Sequence, residues 1–228
     1  MLNSPLLDLI AVVWFISAWI GYTIYSRRKA LTTDCLYTAV DKYAKRWMEQ
    51  ITRREVRIAD ATALATIERN ITFFATSTIL ILGGLLSILG AQEKAMGVLA
   101  SIPFAATSTP GFWEIKLTLL IVAFVYAFFT FTWAMRQLNF VTMMVGGNPL
   151  PQAPEDERQR FAVSTAQVLV LGSSAFNYGL RTYYFCLGAL AWFVHPLLFM
   201  LATVWVVWVL YRREFQSDAL LAMLHRLP

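Results

Sequence analysis

Charged side chains are scarce in this sequence of 228 residues, because Asp, Glu, Lys and Arg together make up only 14% of it. A soluble globular domain carries about 25% charged residues. Hydrophobic residues account for 58% of the chain, and its mean hydropathy is +0.56. This balance excludes a disordered chain, argues against a soluble enzyme, and predicts an integral membrane protein.

Residues that ligate metals or carry out catalysis are also few. The two cysteines, Cys35 and Cys186, lie far apart, and the only histidines are His195 and His225. Thiolate metal sites and disulfide frameworks need more ligands than these. The chain contains no Walker loop, GxGxxG, HExxH or GxSxG motif, and Asp8, an acid within an apolar run, has no evident catalytic partner. We therefore expect no metal, no cofactor and no enzymatic activity.

Several hydrophobic stretches are long enough, or nearly so, to cross a hydrocarbon core of ~30 Å. The predicted spans cover about 6–25, 71–90, 112–135, 177–194 and 197–211. The last two share one apolar run interrupted by His195-Pro196, and we interpret them as a hairpin because proline disfavours helix at the residue before it. The alternative is one long helix and four passes. The sequence predicts an all-α fold, a polytopic transmembrane helix bundle with amphipathic cytoplasmic helices, in one domain over 1–228.

The basic residues predict the orientation of this bundle. Ten Lys and Arg lie between positions 27 and 69, four between 134 and 182, and three from 212 onward, so five passes place 17 of 19 on one side. Positive loops face the cytoplasm, which predicts an outer N-terminus and a cytoplasmic C-terminus in a bacterial inner (plasma) membrane. The net charge of +5 is then a topology signal, and no nucleic-acid partner is expected.

The longest soluble segment, 33–67, is predicted to form a cytoplasmic helix. Leu36, Val40, Tyr43 and Trp47 recur at helical spacing, with basic residues on the remaining surface. Such a helix could lie on the anionic inner leaflet with Trp47 at headgroup depth. We favour the other interpretation, in which it packs on its own bundle or on a sister subunit.

Small and polar residues form a stripe along the second predicted span. Asn70, Ser77 and Gly84 recur every seven residues, with Gly83 and Ser87 beside them. Small residues let helix backbones approach closely, and Ser or Asn can hydrogen-bond across the contact. We interpret Ser77, Gly83, Gly84 and Ser87 as a helix-packing seam; the alternative is the lining of a polar pathway.

Polar residues also cluster near the predicted inner ends of the spans. The candidates are Arg69, Arg136, Arg181, Glu68, Asn70 and Asn177. Charges retained at membrane depth tend to pair or to line a water-filled route. Three arginines at one level could form a basic vestibule that attracts anions or the headgroups of acidic phospholipids. The alternative is snorkelling to lipid phosphates together with an ion pair between Glu68 and an arginine.

Three segments together resemble a known family. They are ERNITFFATSTILILGG at 68–84, KLTLLIVAFVYAFFTFTWAMRQLNF at 116–140 and GLRTYYFCLGALAWFVHP at 179–196. In this order they resemble the domain-of-unknown-function 599 family of small membrane proteins from bacteria and plants. The resemblance implies that its motif positions here are Arg69, Asn70, Arg136, Gly179, Leu180, Arg181, Tyr184, Phe185 and Trp192. The family usually has Gly-Pro where this chain has His195-Pro196, and the resemblance implies a fold but no activity.

These observations favour a homo-oligomeric channel or transporter-like protein for a small ion or solute, with anions preferred because of the arginines. The expected partners are the lipid bilayer, acidic phospholipids and further copies of the chain. The alternative is an accessory or assembly subunit of a larger membrane complex, which would dock partner subunits through the 33–67 helix and the aromatic spans.

Overall fold

The computed structural model describes residues 4–100 and 110–225, and every regular element in these ranges is helical. The α-helices are α1 (Ser4–Lys29), α2 (Leu36–Arg53), α3 (Ile58–Gly90), α4 (Gln92–Ala100), α5 (Pro110–Gly146), α6 (Glu155–Ala189), α7 (Pro196–Phe215) and α8 (Asp218–His225). A 3-10 turn, Leu190–Phe193, follows α6. The all-α fold expected from the sequence is therefore confirmed.

Four helical segments in the described part of the chain are long and apolar enough to cross a membrane. They are Leu6–Lys29, Ile58–Gly90, Gly111–Gly146 and Pro196–Leu224. Large apolar side chains such as Leu80, Phe129 and Trp205 point away from the bundle and are more than half exposed. Soluble monomers rarely expose so much apolar surface, so this is the surface of a membrane protein. The count of four or five crossings stays a prediction.

Helix α6 is less apolar than these four, yet it packs on α2, α5 and α7 and so holds the centre of the bundle. Its buried face carries small residues, including Ala166, Gly172, Ala175 and Gly179. Small side chains let α5 come close, and a Cβ at Gly179 would lie only 2.4 Å from Cε1 of Phe131. Because neighbouring helices cover this face, less of the surface of α6 has to be apolar enough for contact with lipid.

The chain reverses direction at His195-Pro196. Gly188 of α6 lies beside Val206 of α7, and Arg181 lies beside Glu214, so the two helices run antiparallel. His195 is the N-cap of α7, and its Nδ1 accepts a hydrogen bond from the backbone N–H of Leu197 at 3.1 Å. Tyr183–Tyr211 is thus two helices rather than one long one.

The predicted helix over 33–67 is interrupted in the structure. Helix α2 ends at Arg53, Arg54 has extended backbone, and α3 begins at Ile58. The corner is held by Asp60, whose buried carboxylate accepts hydrogen bonds from Trp47 Nε1 at 2.7 Å and Arg54 Nη1 at 2.8 Å. This tertiary ion pair turns the chain where no glycine or proline signals a break.

Helix α2 packs against its own bundle, with Met48 and Ile51 fully buried in a core shared with α3, α5 and α6. A second core joins α1, the beginning of α5, the end of α6 and α7 around Phe15, Phe185 and Phe199. The bundle therefore has two apolar cores in succession, and helices α5 and α6 run through both.

Candidate functional site

One face of α1 presents polar residues at both ends and apolar residues between them. Asp8, Ala11, Phe15, Tyr22 and Ser26 are buried and follow one another at steps of three, four, seven and four residues. Such spacing places them along a single stripe of the helix. The stripe places the carboxylate of Asp8 near the beginning of the helix and the hydroxyls of Tyr22 and Ser26 near its end.

The Arg181 cluster consists of Arg181, Glu214, Tyr22 and Ser26. The guanidinium donates through Nη1 to Ser26 Oγ at 3.0 Å and through Nη2 to Glu214 Oε2 at 3.0 Å. Tyr22 donates its hydroxyl to the same Oε2 at 3.0 Å, and its ring lies 4.9 Å below Cζ of Arg181. One cluster thus joins α1, α6 and α7 with its charges balanced.

The Asp8 cluster consists of Asp8, Lys116 and Trp192. Asp8 Oδ1 accepts a hydrogen bond from Trp192 Nε1 at 2.5 Å and lies 3.7 Å from Lys116 Nζ. Lys116 also donates to the backbone oxygen of Trp192 at 3.0 Å. All three side chains are buried, so this cluster ties α1 to α5 and to the turn after α6.

Both clusters act as clamps on α1. In each of them a carboxylate, buried Asp8 or half-buried Glu214, meets a buried cation and a neutral donor, so the charges compensate each other locally. Removing one partner of such a pair is costly because the other charge is left buried and unpaired. We assign these clusters to holding the helices together. No group of three or more His, Cys, Asp or Glu suited to a metal ion occurs within 4–100 and 110–225.

Of the three predicted arginines, only Arg181 is buried. Arg69 and Arg136 are exposed, and Arg136 lies with Cζ 5.7 Å from the ring of Phe140. The structure does not bring the three guanidinium groups together, because Arg181 is engaged by Glu214 inside the bundle. The expected pair between Glu68 and an arginine is not among the ion pairs of the described residues.

The remaining candidates lie on the outside of the monomer. Asn70 and Asn177 are exposed and Glu68 is half-buried. Of the packing candidates, Ser77 is half-buried, and Gly83, Gly84 and Ser87 are exposed. A Cβ at Gly83 or Gly84 would meet no atom within 4 Å. The seam therefore has no partner helix within the described part of the monomer.

Helix α3 consequently has two unlike faces. Leu64, Ile71, Ala75, Thr78 and Leu85 are buried in the bundle. At about 100° per residue, the stripe from Asn70 to Gly84 lies on the other side of the helix. This side also carries the exposed apolar side chains of Phe73 and Leu80. We call its small and polar residues the polar face of α3: Arg69, Asn70, Thr76, Gly83, Gly84 and Ser87, with half-buried Ser77 at its edge.

The family model described as "Protein of unknown function, DUF599" matches residues 10–219. The chain belongs to the DUF599 family. No curated protein and no solved structure matches it. The match confirms the resemblance drawn from the sequence, and it brings no activity with it because the family has no known function.

Three of the motif positions that the resemblance implied have structural explanations. Gly179 admits the ring of Phe131, Arg181 forms the clamp with Glu214, and Trp192 binds the carboxylate of Asp8. His195 caps α7 through its side chain.

The partners of these residues were missed in the sequence. Glu214 follows Arg212-Arg213, which counted only toward the orientation of the bundle, and Tyr22 lies in a predominantly apolar span. Asp8 and Lys116 offered a signal, since each is a charge next to an apolar span at the same predicted end. Pairing lone charges across predicted spans would have found that contact.

Proposed function

We propose that this DUF599 protein forms a homo-oligomer in which the polar faces of α3 from neighbouring copies meet and line a route for a small anion. The proposed setting is a bacterial inner membrane, with the N-terminus outside and the C-terminus in the cytoplasm. The observation that carries the proposal is the polar face itself, which lies on the outside of a helix apolar enough to cross a membrane.

Lipid is a poor neighbour for the polar side chains of this face. Those of Asn70 and Thr76 are exposed, and polar groups in hydrocarbon are costly unless they find hydrogen bonds. The neighbouring glycines lack side chains and leave the space in front of this face open. Further copies of α3 around one axis would offer its polar groups partners and would keep that open space as the route.

Arg69 supports the preference for anions. Its side chain is exposed at the end of the polar face, and no ion pair with it occurs among the described residues. Copies arranged around an axis would place one guanidinium each at the mouth of the route. A ring of arginines attracts anions and repels cations.

The test combines assembly and flux. Native mass spectrometry of the protein in native-lipid discs is expected to show one species of three or more copies, and liposomes containing it are expected to pass chloride. Arg69→Gln should lower the chloride flux, whereas Arg136→Gln, which removes an equal exposed charge from α5, should leave it near the wild-type rate.

Two outcomes would contradict this proposal. A monomer that passes no chloride would mean that no route exists. An equal loss of flux in both variants would mean that Arg69 contributes no more to anion flux than Arg136 does. Stoichiometric foreign subunits in the discs would instead support an accessory or assembly subunit, in which a different chain covers the polar face.

A further inference from the structure

A groove with a basic end opens on the surface of α1. Its volume is about 600 Å³, and its lining includes Gly21, Ile24, Tyr25, Arg28, Lys29 and Thr33. We propose that this groove binds one anionic glycerophospholipid, with the phosphate at the basic end and an acyl chain along Gly21 and Ile24. This site lies on α1 and the turn after it, beside Tyr211 of α7, and is independent of the polar face of α3.

The groove changes from apolar to basic along the helix. Gly21 and Lys29 are eight residues apart, which is about 12 Å at 1.5 Å per residue. Since α1 is apolar up to Tyr25 and ends in three basic residues, the Gly21 end lies at acyl-chain depth and the Lys29 end at headgroup depth. A Cβ at Gly21 would meet no atom within 4 Å, so the helix surface there is open to an acyl chain.

Lys29 is held in position by neutral partners. Its Nζ donates to the hydroxyl of Tyr211 on α7 at 2.8 Å. It also lies 4.5 Å from the centre of the Tyr211 ring, 4.7 Å from Phe215 and 5.5 Å from Tyr25. Aromatic faces order an ammonium group without neutralising it. The charge of Lys29 is therefore fixed at the groove and still available to an anion.

Arg28 provides a second charge that the chain does not neutralise. No ion pair within the described residues involves Arg28 or its neighbour Arg27. The acid that follows along the chain, Asp34, pairs with Lys42 at 3.4 Å, and Glu214 is taken by Arg181. A phosphate group would supply the missing negative charge, and the exposed hydroxyl of Thr33 at the same end could donate to it.

The shape of the groove favours a lipid over a free phosphate ion. A phosphate ion needs only the basic end, whereas the groove continues over apolar Ile24 and the open surface at Gly21. An anionic phospholipid matches both parts with a single molecule.

The experiment measures lipid retention by native mass spectrometry of the full chain, released from phosphatidylcholine discs that contain a minority of phosphatidylglycerol. The wild-type protein is expected to retain one phosphatidylglycerol. Arg28→Gln should weaken this retention about fivefold, which corresponds to about 1 kcal/mol for one basic side chain at a membrane surface. Gly21→Leu should reduce it by filling this open surface without changing any charge.

Matched controls separate this site from general attraction. Gly21→Ala keeps most of the room and should retain the lipid, and Arg160→Gln removes one exposed arginine on α6 and should also retain it. Equal retention in all variants, or equal loss in all, would overturn the proposal. If Gly21→Leu retains the lipid and inorganic phosphate displaces it, the groove binds a free anion and the lipid assignment is wrong.

Discussion

The closest approach between two helices gives the sharpest test of the packing. We predict that Gly179→Ala destabilises the bundle. The new methyl group would lie 2.4 Å from Cε1 and 2.7 Å from Cδ1 and Cζ of Phe131. Carbon atoms prefer about 3.5–4.0 Å, so the ring would have to move by more than about 1 Å.

Phe131 has little freedom to move. Its ring is fully buried, with centroids of Phe74, Phe176 and Tyr183 between 5.6 and 5.7 Å away. Forcing extra methylene groups into a packed core costs about 1–3 kcal/mol. In a helix interior, alanine is also about 1 kcal/mol more favourable than glycine. A glycine-to-alanine substitution at a second, open position is therefore needed as a control for this gain.

Gly21 is that matched control, because it lies inside α1 and a Cβ there meets no atom within 4 Å. Gly179→Ala should be about 2 kcal/mol less stable than Gly21→Ala, which is about 4–8 °C in the unfolding midpoint for a chain of this size. Thermal unfolding in mild detergent, followed by circular dichroism, measures the difference. Adding Phe131→Leu to Gly179→Ala should recover part of the loss. If Gly179→Ala unfolds at or above the midpoint of Gly21→Ala, the close contact is not what the structure describes.

The remaining predictions concern the clamps and the cap, and the same unfolding assay checks them. Arg181→Met leaves Glu214 without its cation inside the bundle and should cost about 3–5 kcal/mol. Adding Glu214→Gln should restore part of this stability. A further loss in the double variant would refute the clamp. Asp8→Asn leaves Lys116 without its carboxylate and should lower the midpoint, whereas an unchanged midpoint would show that the pair is not formed. His195→Ala removes the side-chain cap of α7 and should cost about 1 kcal/mol, and His195→Asn should keep most of the stability because asparagine is a good N-cap.

The sequence by itself determined the class of this protein and the position of four long apolar helices. Long apolar runs carry their own signal, since a helix that satisfies its backbone hydrogen bonds internally is stable in lipid whatever its neighbours are. The turn between α6 and α7 was also readable, because Pro196 restricts the residue before it. Family membership followed from local motifs around Arg69, Arg136 and Gly179.

Only the tertiary structure decided which polar residues meet. Arg69, Arg136 and Arg181 look alike in the sequence, yet Arg181 alone is buried, because Ser26 and Glu214 reach it from helices 155 and 33 residues away. Hydropathy is a property of each segment, whereas the choice between a lipid-facing and a buried charge depends on which helices pack around it. That choice is made by contacts distant along the chain, and no local pattern encodes them.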